Sequence, residues 1–240
     1  MLEVRIEKYA VFVDKVESVR QRIAQLSQWL STPLLMEYKD VRITPRYLVL
    51  NTTVPENVEM QPLQYPVSEE EARLMVRGIL RALYALHSRH IVHGHLRLET
   101  LRMHPNSGNI LLTQHVLPID LFVPSSDVGR EAWHCCAPEI KRNSTFDYSA
   151  DIWALGAVFM QLVAPAGKVY RTEDLLEVDV LSPDVMALSP SAVSFAVQCL
   201  NEEAEARPTV AELLMHPFLA DKEEWPDSYE SGSDDTGEEI

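Results

Sequence analysis

Residues Ile91 to Leu101 read I-V-H-G-H-L-R-L-E-T-L. The stretch opens on a short β-prone run and follows a strongly marked amphipathic helix. Ser68-Glu69-Glu70-Glu71 starts that helix: Ser68 is the expected N-cap, Glu71 sits at its capping-box position, and three acids face the positive end of the helix dipole. Leu74, Met75, Ile79, Ala82, Leu83 and Leu86 give it one apolar face. Beyond Leu101 two short strands are expected, L-R-M and N-I-L-L-T, about a turn at His104–Gly108. From Gln114 to Trp133 the pattern is irregular.

Upstream, apolar positions from Val4 through Val16, Val19, Ile23 and Leu26 to Leu30 predict one long helix, ended by Ser31-Thr32-Pro33 because a proline disfavours helix in the residue before it. Two strands are expected over 34–54, turning at Thr44-Pro45-Arg46, and a three-proline linker over 55–67. Downstream come C-C-A-P-E-I at 135–140 and D-Y-S-A-D-I-W-A-L-G-A-V-F-M-Q-L at 147–162, apolar nearly all round as a central buried helix should be. The remainder is helical with loops.

At 240 residues the chain can bury a substantial core. Three cysteines (Cys135, Cys136, Cys199) make no disulfide framework and imply a reducing compartment, cytoplasmic or nuclear. The charged N-terminus is unlike a signal peptide, and no apolar run is long enough to span a membrane. The net charge is −15, and residues 221–240 hold nine Asp/Glu against one Lys. Such acidity argues against nucleic acid as a partner. The tail has too little apolar content to fold alone, although Trp225 and Tyr229 offer anchors for a basic partner, and Ser231 and Thr236 each precede an acid by three residues.

From Ser68 to Leu219 the order of these pieces resembles the large lobe of a Ser/Thr protein kinase. The Ile91–Leu101 stretch is similar to the family's catalytic loop, H-R-D-L-x-x-x-N. His93, Leu96 and Glu99 match that loop. Gly94 stands for its Arg, His95 for the base Asp, Arg97 for the phosphate-contacting Lys and Thr100 for the metal-binding Asn. Ala137-Pro138-Glu139 resembles A-P-E. Asp151 resembles the acid that holds the catalytic loop, and Arg207 the arginine that pairs with the A-P-E glutamate, here Glu139. The resemblance implies an α+β, protein kinase-like fold: a reduced N-terminal lobe over 1–54 (a long helix plus about two strands), a hinge over 55–67, a mainly helical large lobe over 68–220, and an acidic disordered tail over 221–240.

The metal-binding D-F-G has two candidate positions, Gln114 or Asp120. Gln114 lies 19 residues after His95 and 25 before Glu139, whereas Asp120 gives 25 and 19; the family spacing favours Gln114. Phosphoryl transfer needs a phosphate cradle, a lysine, metal ligands and a residue to orient the hydroxyl. With a helix expected from the first residues, no strand carrying the family's lysine is expected. Counting back from Pro33 puts its glutamate partner near Arg22 and Ile23, with Glu17 the nearest acid. The sequence expectation is therefore a catalytically inactive pseudokinase and not an enzyme, without nucleotide, metal or other cofactor. It would serve as a protein-binding scaffold or allosteric regulator. Its partner, an active kinase or another protein, or a second copy, would cover the exposed underside of the first helix and the bare edge of the Tyr47–Val54 strand. The rival is a divergent kinase that holds nucleotide through Arg97 and His95. Histidines His90, His93 and His95, with Cys135 and Cys136, are read as packing and loop residues rather than as a metal site. Gly94 in place of the arginine implies a Gln114–His134 segment that phosphorylation does not switch.

Overall fold

The computed structural model describes residues 3–7, 16–29, 32–44, 47–53, 61–62, 65–103, 109–116, 136–142, 147–165, 168, 170–178 and 187–220. Asp120, Cys135, the His104–Gly108 turn, most of the 55–67 linker and the acidic tail lie outside them. The N-terminus corrects the expectation of one long helix. Glu3–Glu7 is a strand, β1, and the helix α1 covers only Val16–Trp29. Val4 and Ile6 alternate with Glu3, Arg5 and Glu7, a period of two, and helical spacing begins only at Val16. Val19, Ile23 and Leu26 then form the buried stripe of α1.

Strands β2 (Tyr38–Ile43) and β3 (Tyr47–Thr52) follow, and the sheet order is β1-β3-β2, antiparallel throughout. This overturns the expected bare edge at Tyr47–Val54. β3 is the central strand: Leu50 pairs with Val4 on one side and Val41 on the other, and Leu48, Val49 and Leu50 are all buried. An edge already paired offers no docking site.

A second small sheet, order β4-β5-β6, joins β4 (Gln61–Pro62), β5 (Leu101–Met103) and β6 (Ile110–Leu112). Between β4 and β5 runs helix α2, Glu69–His87. Its capping box is formed: Ser68 Oγ accepts from the Glu71 N–H (3.2 Å), and Glu71 accepts from the Ser68 N–H (2.9 Å). Its buried face is Ala72, Val76, Ile79, Leu80, Ala82, Leu83 and Leu86, whereas Leu74, expected inside, is 37% exposed. The helix ends with His90 in the left-handed region (φ 58°) and the Ile91 N–H turned back onto the Leu86 carbonyl, 3.0 Å. That reversal delivers the chain into the His93 loop.

Five further α-helices lie among the described residues: α3 (Pro138–Lys141), α4 (Tyr148–Val163), α5 (Thr172–Leu176), α6 (Pro190–Cys199) and α7 (Val210–Leu214). α4 starts at an Asp147 cap, whose carboxylate accepts from the Ser149 N–H at 2.8 Å, and buries eleven of its residues. α2 and α6 are tied where Glu69 accepts from both the N–H (2.8 Å) and the hydroxyl (2.5 Å) of Ser189. Phe159, Phe195 and Phe218 meet with ring centroids 5.2–5.7 Å apart. The two sheets are also stitched together. Leu112 accepts from the Met36 N–H (3.0 Å) and donates to the Leu34 carbonyl (2.9 Å), so the segment after α1 is fixed against the strand that follows the loop. Among the described residues no helix is long and apolar enough to cross a membrane.

Candidate functional site

The loop is held from below by one carboxylate. Asp151, on the first turn of α4 and 1% exposed, accepts from the backbone N–H of His93 (2.8 Å), the N–H of Gly94 (2.7 Å) and the ring of His87 (2.9 Å). A buried carboxylate survives only when it is well supplied with donors, and three donors occupy three of its roughly four lone-pair sites. Gly94 has φ 70°, a backbone turn that glycine adopts without a Cβ penalty.

His93 is fully buried, and its tautomer follows from its neighbours. The His95 N–H donates to Nδ1 (3.2 Å), so the ring proton lies on Nε2, which donates to the Thr113 carbonyl (2.9 Å). Burial accordingly lowers the His93 pKa, against the pull of Asp151. The loop then closes on itself. Thr100 Oγ1 accepts from the Arg97 N–H (3.1 Å) and donates to the Arg97 carbonyl (2.8 Å), while Thr113 donates through both its N–H (2.9 Å) and its hydroxyl (2.8 Å) to the Thr100 carbonyl.

His95 has its pKa pushed well below the usual histidine value, by burial first, then by Arg97 and His93. The ring is neutral near pH 7, with one nitrogen unprotonated, and burial makes that nitrogen a weaker base than an ordinary histidine. Arg97 stands 3.7 Å from Glu99. Gln114 adopts φ 67°, and its N–H donates to the Tyr38 hydroxyl at 2.8 Å. The next residue, His115, is buried 5.8 Å from the Tyr38 ring, centroid to centroid, and burial takes its pKa down to about 3.

Two contributors were not expected from the sequence. Arg22, where counting back from Pro33 put a family glutamate, donates to the Val92 carbonyl at 3.2 Å and feels the Asp151 charge, so α1 touches the loop through a cation. Tyr38 reaches Gln114 from β2, a contact that spans 76 positions of chain and that local pattern does not encode. Farther off, the pairing of Arg207 with Glu139 is formed and bidentate (2.6 and 2.8 Å), with the arginine also donating to the Ser149, Asn201 and Glu202 carbonyls. His90 lies apart, facing the Tyr148 hydroxyl at 3.4 Å.

The fold family implies magnesium with a nucleotide. Magnesium sites use one or two carboxylates beside phosphate oxygens and water. The positions available offer the Thr100 hydroxyl, already bonded to Arg97, and the Gln114 amide, whose Oε1 is buried with no hydrogen-bond partner among the described residues. Neither is a carboxylate, and these two residues do not fit a magnesium site.

Comparison with known proteins places this geometry. A model of the protein kinase domain matches residues 6–219. The chain is 29% identical over 178 residues to the MAP kinase kinase kinase mkh1 of Schizosaccharomyces pombe, covering 67% of this chain and 16% of that protein. It is 29% identical over 184 residues to serine/threonine-protein kinase 10-A of Xenopus laevis (67% and 18%). To serine/threonine-protein kinase pakH of Dictyostelium discoideum it is 23% identical over 230 residues (90% and 44%). The chain thus spans less than half the length of each of these relatives. The expectation that the chain is not an enzyme is overturned by these matches: the kinase-domain model runs through the loop and both its supports, and the relatives are named protein kinases.

Proposed function

Because the chain belongs to the protein kinase domain family, we propose that it is a divergent Ser/Thr-type kinase domain, one that binds a nucleoside triphosphate and transfers its terminal phosphate slowly to protein hydroxyls. The observation that carries this reading is the Asp151 clamp on His93 and Gly94, which keeps the loop in a fixed shape although its side chains differ from the family pattern.

Arg97, in the position of the phosphate-contacting lysine, supplies a permanent cation and a planar fork of donors for phosphate oxygens. His95, neutral and next to Arg97, takes the place of the base. In the transfer the substrate oxygen attacks the terminal phosphorus, its proton passes to the His95 ring, and the nucleoside diphosphate departs. A placed base contributes about 10²–10⁴-fold when its pKa lies near the working pH, and the depressed pKa of His95 puts it at the low end of that range. Charge neutralisation by metal ions is a larger part of such catalysis, and Thr100 and Gln114 supply no carboxylate for it, so transfer is slow.

The Ser/Thr class of the acceptor follows the names of the relatives. A protein partner on the N-terminal lobe belongs to the same proposal. Between α1 and β2 a cavity of about 550 Å³ opens among Ile23, Ser27, Tyr38 and His115, with Arg20 and Asp40 at its rim. The site of action is the cytoplasm or nucleus, in keeping with Cys136 and Cys199, which form no disulfide among the described residues.

Thermal-shift titration with ATP, in magnesium and in EDTA, tests binding, and labelled phosphate incorporation into a Ser/Thr peptide library tests transfer. Saturable stabilisation that persists in EDTA, with slow labelling lost in the His95→Ala variant, is the expected result. A melting curve unmoved by millimolar ATP under both conditions overturns it.

A further inference from the structure

The fold places the end of its described chain on a row of arginines. Arg73, Arg77 and Arg81 recur every four residues and so line one face of α2. Arg73 donates to the Ala220 carbonyl at 3.2 Å, and Arg77 donates to the Leu219 carbonyl. Beside this row lies a groove of about 260 Å³ between α2 and the β5–β6 hairpin, with Leu74, Met75, Gly78, Met103 and Ile110 as its apolar lining and Arg77 and Arg81 on its border. The half-exposed Leu74, displaced from the core face, belongs to this lining.

The residues that follow Ala220 are D-K-E-E-W-P-D-S-Y-E, and the whole segment 221–240 carries nine acids and one lysine. We propose that this segment folds back along α2 within the same molecule, setting Trp225 into the groove and its acids against Arg77 and Arg81. The reach is adequate. Five residues of extended chain from Ala220 to Trp225 span about 17 Å. Along the axis of α2, Arg73 to Arg81 is about 12 Å. Gly78 lets Ile110 pack close against α2, since a Cβ built there would stand 3.5 Å from the Ile110 side chain, and the two residues line the floor of the groove. Of the nearby acids, Glu70 is paired with Arg73, while Glu71 stays ionised in the Ser68 cap at the groove, so the attraction rests on the two arginines Arg77 and Arg81 outweighing that one charge. Tethering makes the contact intramolecular, so it needs little intrinsic affinity.

Trp225 reports on this directly. Acrylamide quenching of the full chain, taken as wild type minus Trp225→Phe, isolates its signal and is compared with the synthetic peptide 221–240. At low salt the expected quenching constant is about threefold below that of the peptide, and it rises to the peptide value near 0.5 M NaCl, where the Debye length falls to about 4 Å. The same rise is expected in the full-length Arg77→Glu/Arg81→Glu variant. Because Arg77 also holds Leu219, a second full-length variant, Asp227→Lys/Glu230→Lys, makes the same test from the tail side. Quenching equal to the peptide at low salt overturns the proposal, as does protection indifferent to salt and to both reversals. Protection that grows with protein concentration assigns the groove to the tail of a second copy and overturns the intramolecular contact.

Discussion

Asp151 Oδ1 accepts the backbone N–H of Gly94 at 2.7 Å, while its other oxygen takes the N–H of His93 at 2.8 Å. One side chain thereby fixes two consecutive peptide groups of a loop that lies 57 residues away in sequence. Replacing Asp151 with Asn keeps the shape but turns one acceptor into a donor that faces donors. Hydrogen bonds to a charged group are worth about 1.5–3 kcal/mol each, and a buried donor left unmatched costs about 1–3 more. The Asp151→Asn variant is expected to lose about 2–4 kcal/mol in urea unfolding. A loss below about 0.5 kcal/mol, the scale of an ordinary surface change, would refute the clamp.

The loop, its clamp and the Glu139–Arg207 pair were legible because each is a short motif at fixed separation. What escaped is long-range. β1 was hidden because Val4 and Ile6 run on into other apolar residues, so the alternation of two in Glu3–Glu7 is easily taken for the start of a helical period. The sheet order, with β3 in the middle, depends on which strands meet, and no local pattern states that. Helical spacing admits Leu74 to the apolar face as readily as its neighbours, and only packing turns it outward to the groove beside α2. Tyr38 and Arg22 reach the loop from other elements, and only packing reveals their targets.

Removing Arg207 should hurt more than neutralising its partner Glu139. The Arg207 side chain is fully buried and makes a bidentate contact plus three carbonyl bonds. Arg207→Ala strands Glu139 and three carbonyls, for an expected cost of about 3–5 kcal/mol. Glu139→Gln leaves the carbonyl bonds in place and should cost about 1–3 kcal/mol. Chemical denaturation of both variants checks the order, and equal costs would contradict it.

Acid should destabilise the fold through its buried histidines before its carboxylates titrate. Burial takes His115 from 6.5 down to about 3, and lowers His93 and His95 as well. A group whose folded pKa is depressed gives its full stabilisation above the unfolded value and loses it as pH falls toward the folded one. For His115 the loss runs from about pH 6.5 to 3, with a limiting slope of about 1.4 kcal/mol per pH unit. Between pH 6.5 and 5, His115→Phe should flatten the decline by roughly 1–2 kcal/mol, read from urea midpoints at each pH. An unchanged slope would mean that His115 takes up its proton in the folded state.

Gly156→Ala sets helix propensity against packing. Alanine in a helix is favoured over glycine by about 1 kcal/mol. At this site, however, a Cβ would stand 2.7 Å from the Cys199 Cβ and 2.9 Å from Leu200 Cγ, both on or beside α6. Overpacking of that kind costs about 1–3 kcal/mol and should win. A net loss of about 1–2 kcal/mol is the expected result by thermal unfolding, and a stabilised variant would show that α6 gives way easily.

The substitutions at Thr100 and Gln114 can be run backwards. Gln114 already holds φ 67°, a region that aspartate tolerates better than most residues, and its buried Oε1 has no hydrogen-bond partner among the described residues. A carboxylate at Gln114 and an amide at Thr100 would supply the oxygen donors that the family uses for metal. An Asn at position 100 can still accept from the Arg97 N–H, which now bonds to the Thr100 hydroxyl. In the Thr100→Asn/Gln114→Asp variant, stabilisation by ATP should therefore become magnesium-dependent, whereas the wild-type shift should be the same in magnesium and in EDTA. Phosphate incorporation should rise in the same variant by about tenfold or more, since each 1.4 kcal/mol of charge stabilisation regained is a factor of ten. If the wild type already needs magnesium for its ATP shift, then Gln114 or a residue outside the described set ligates the ion, and the arginine-based account of nucleotide binding is wrong.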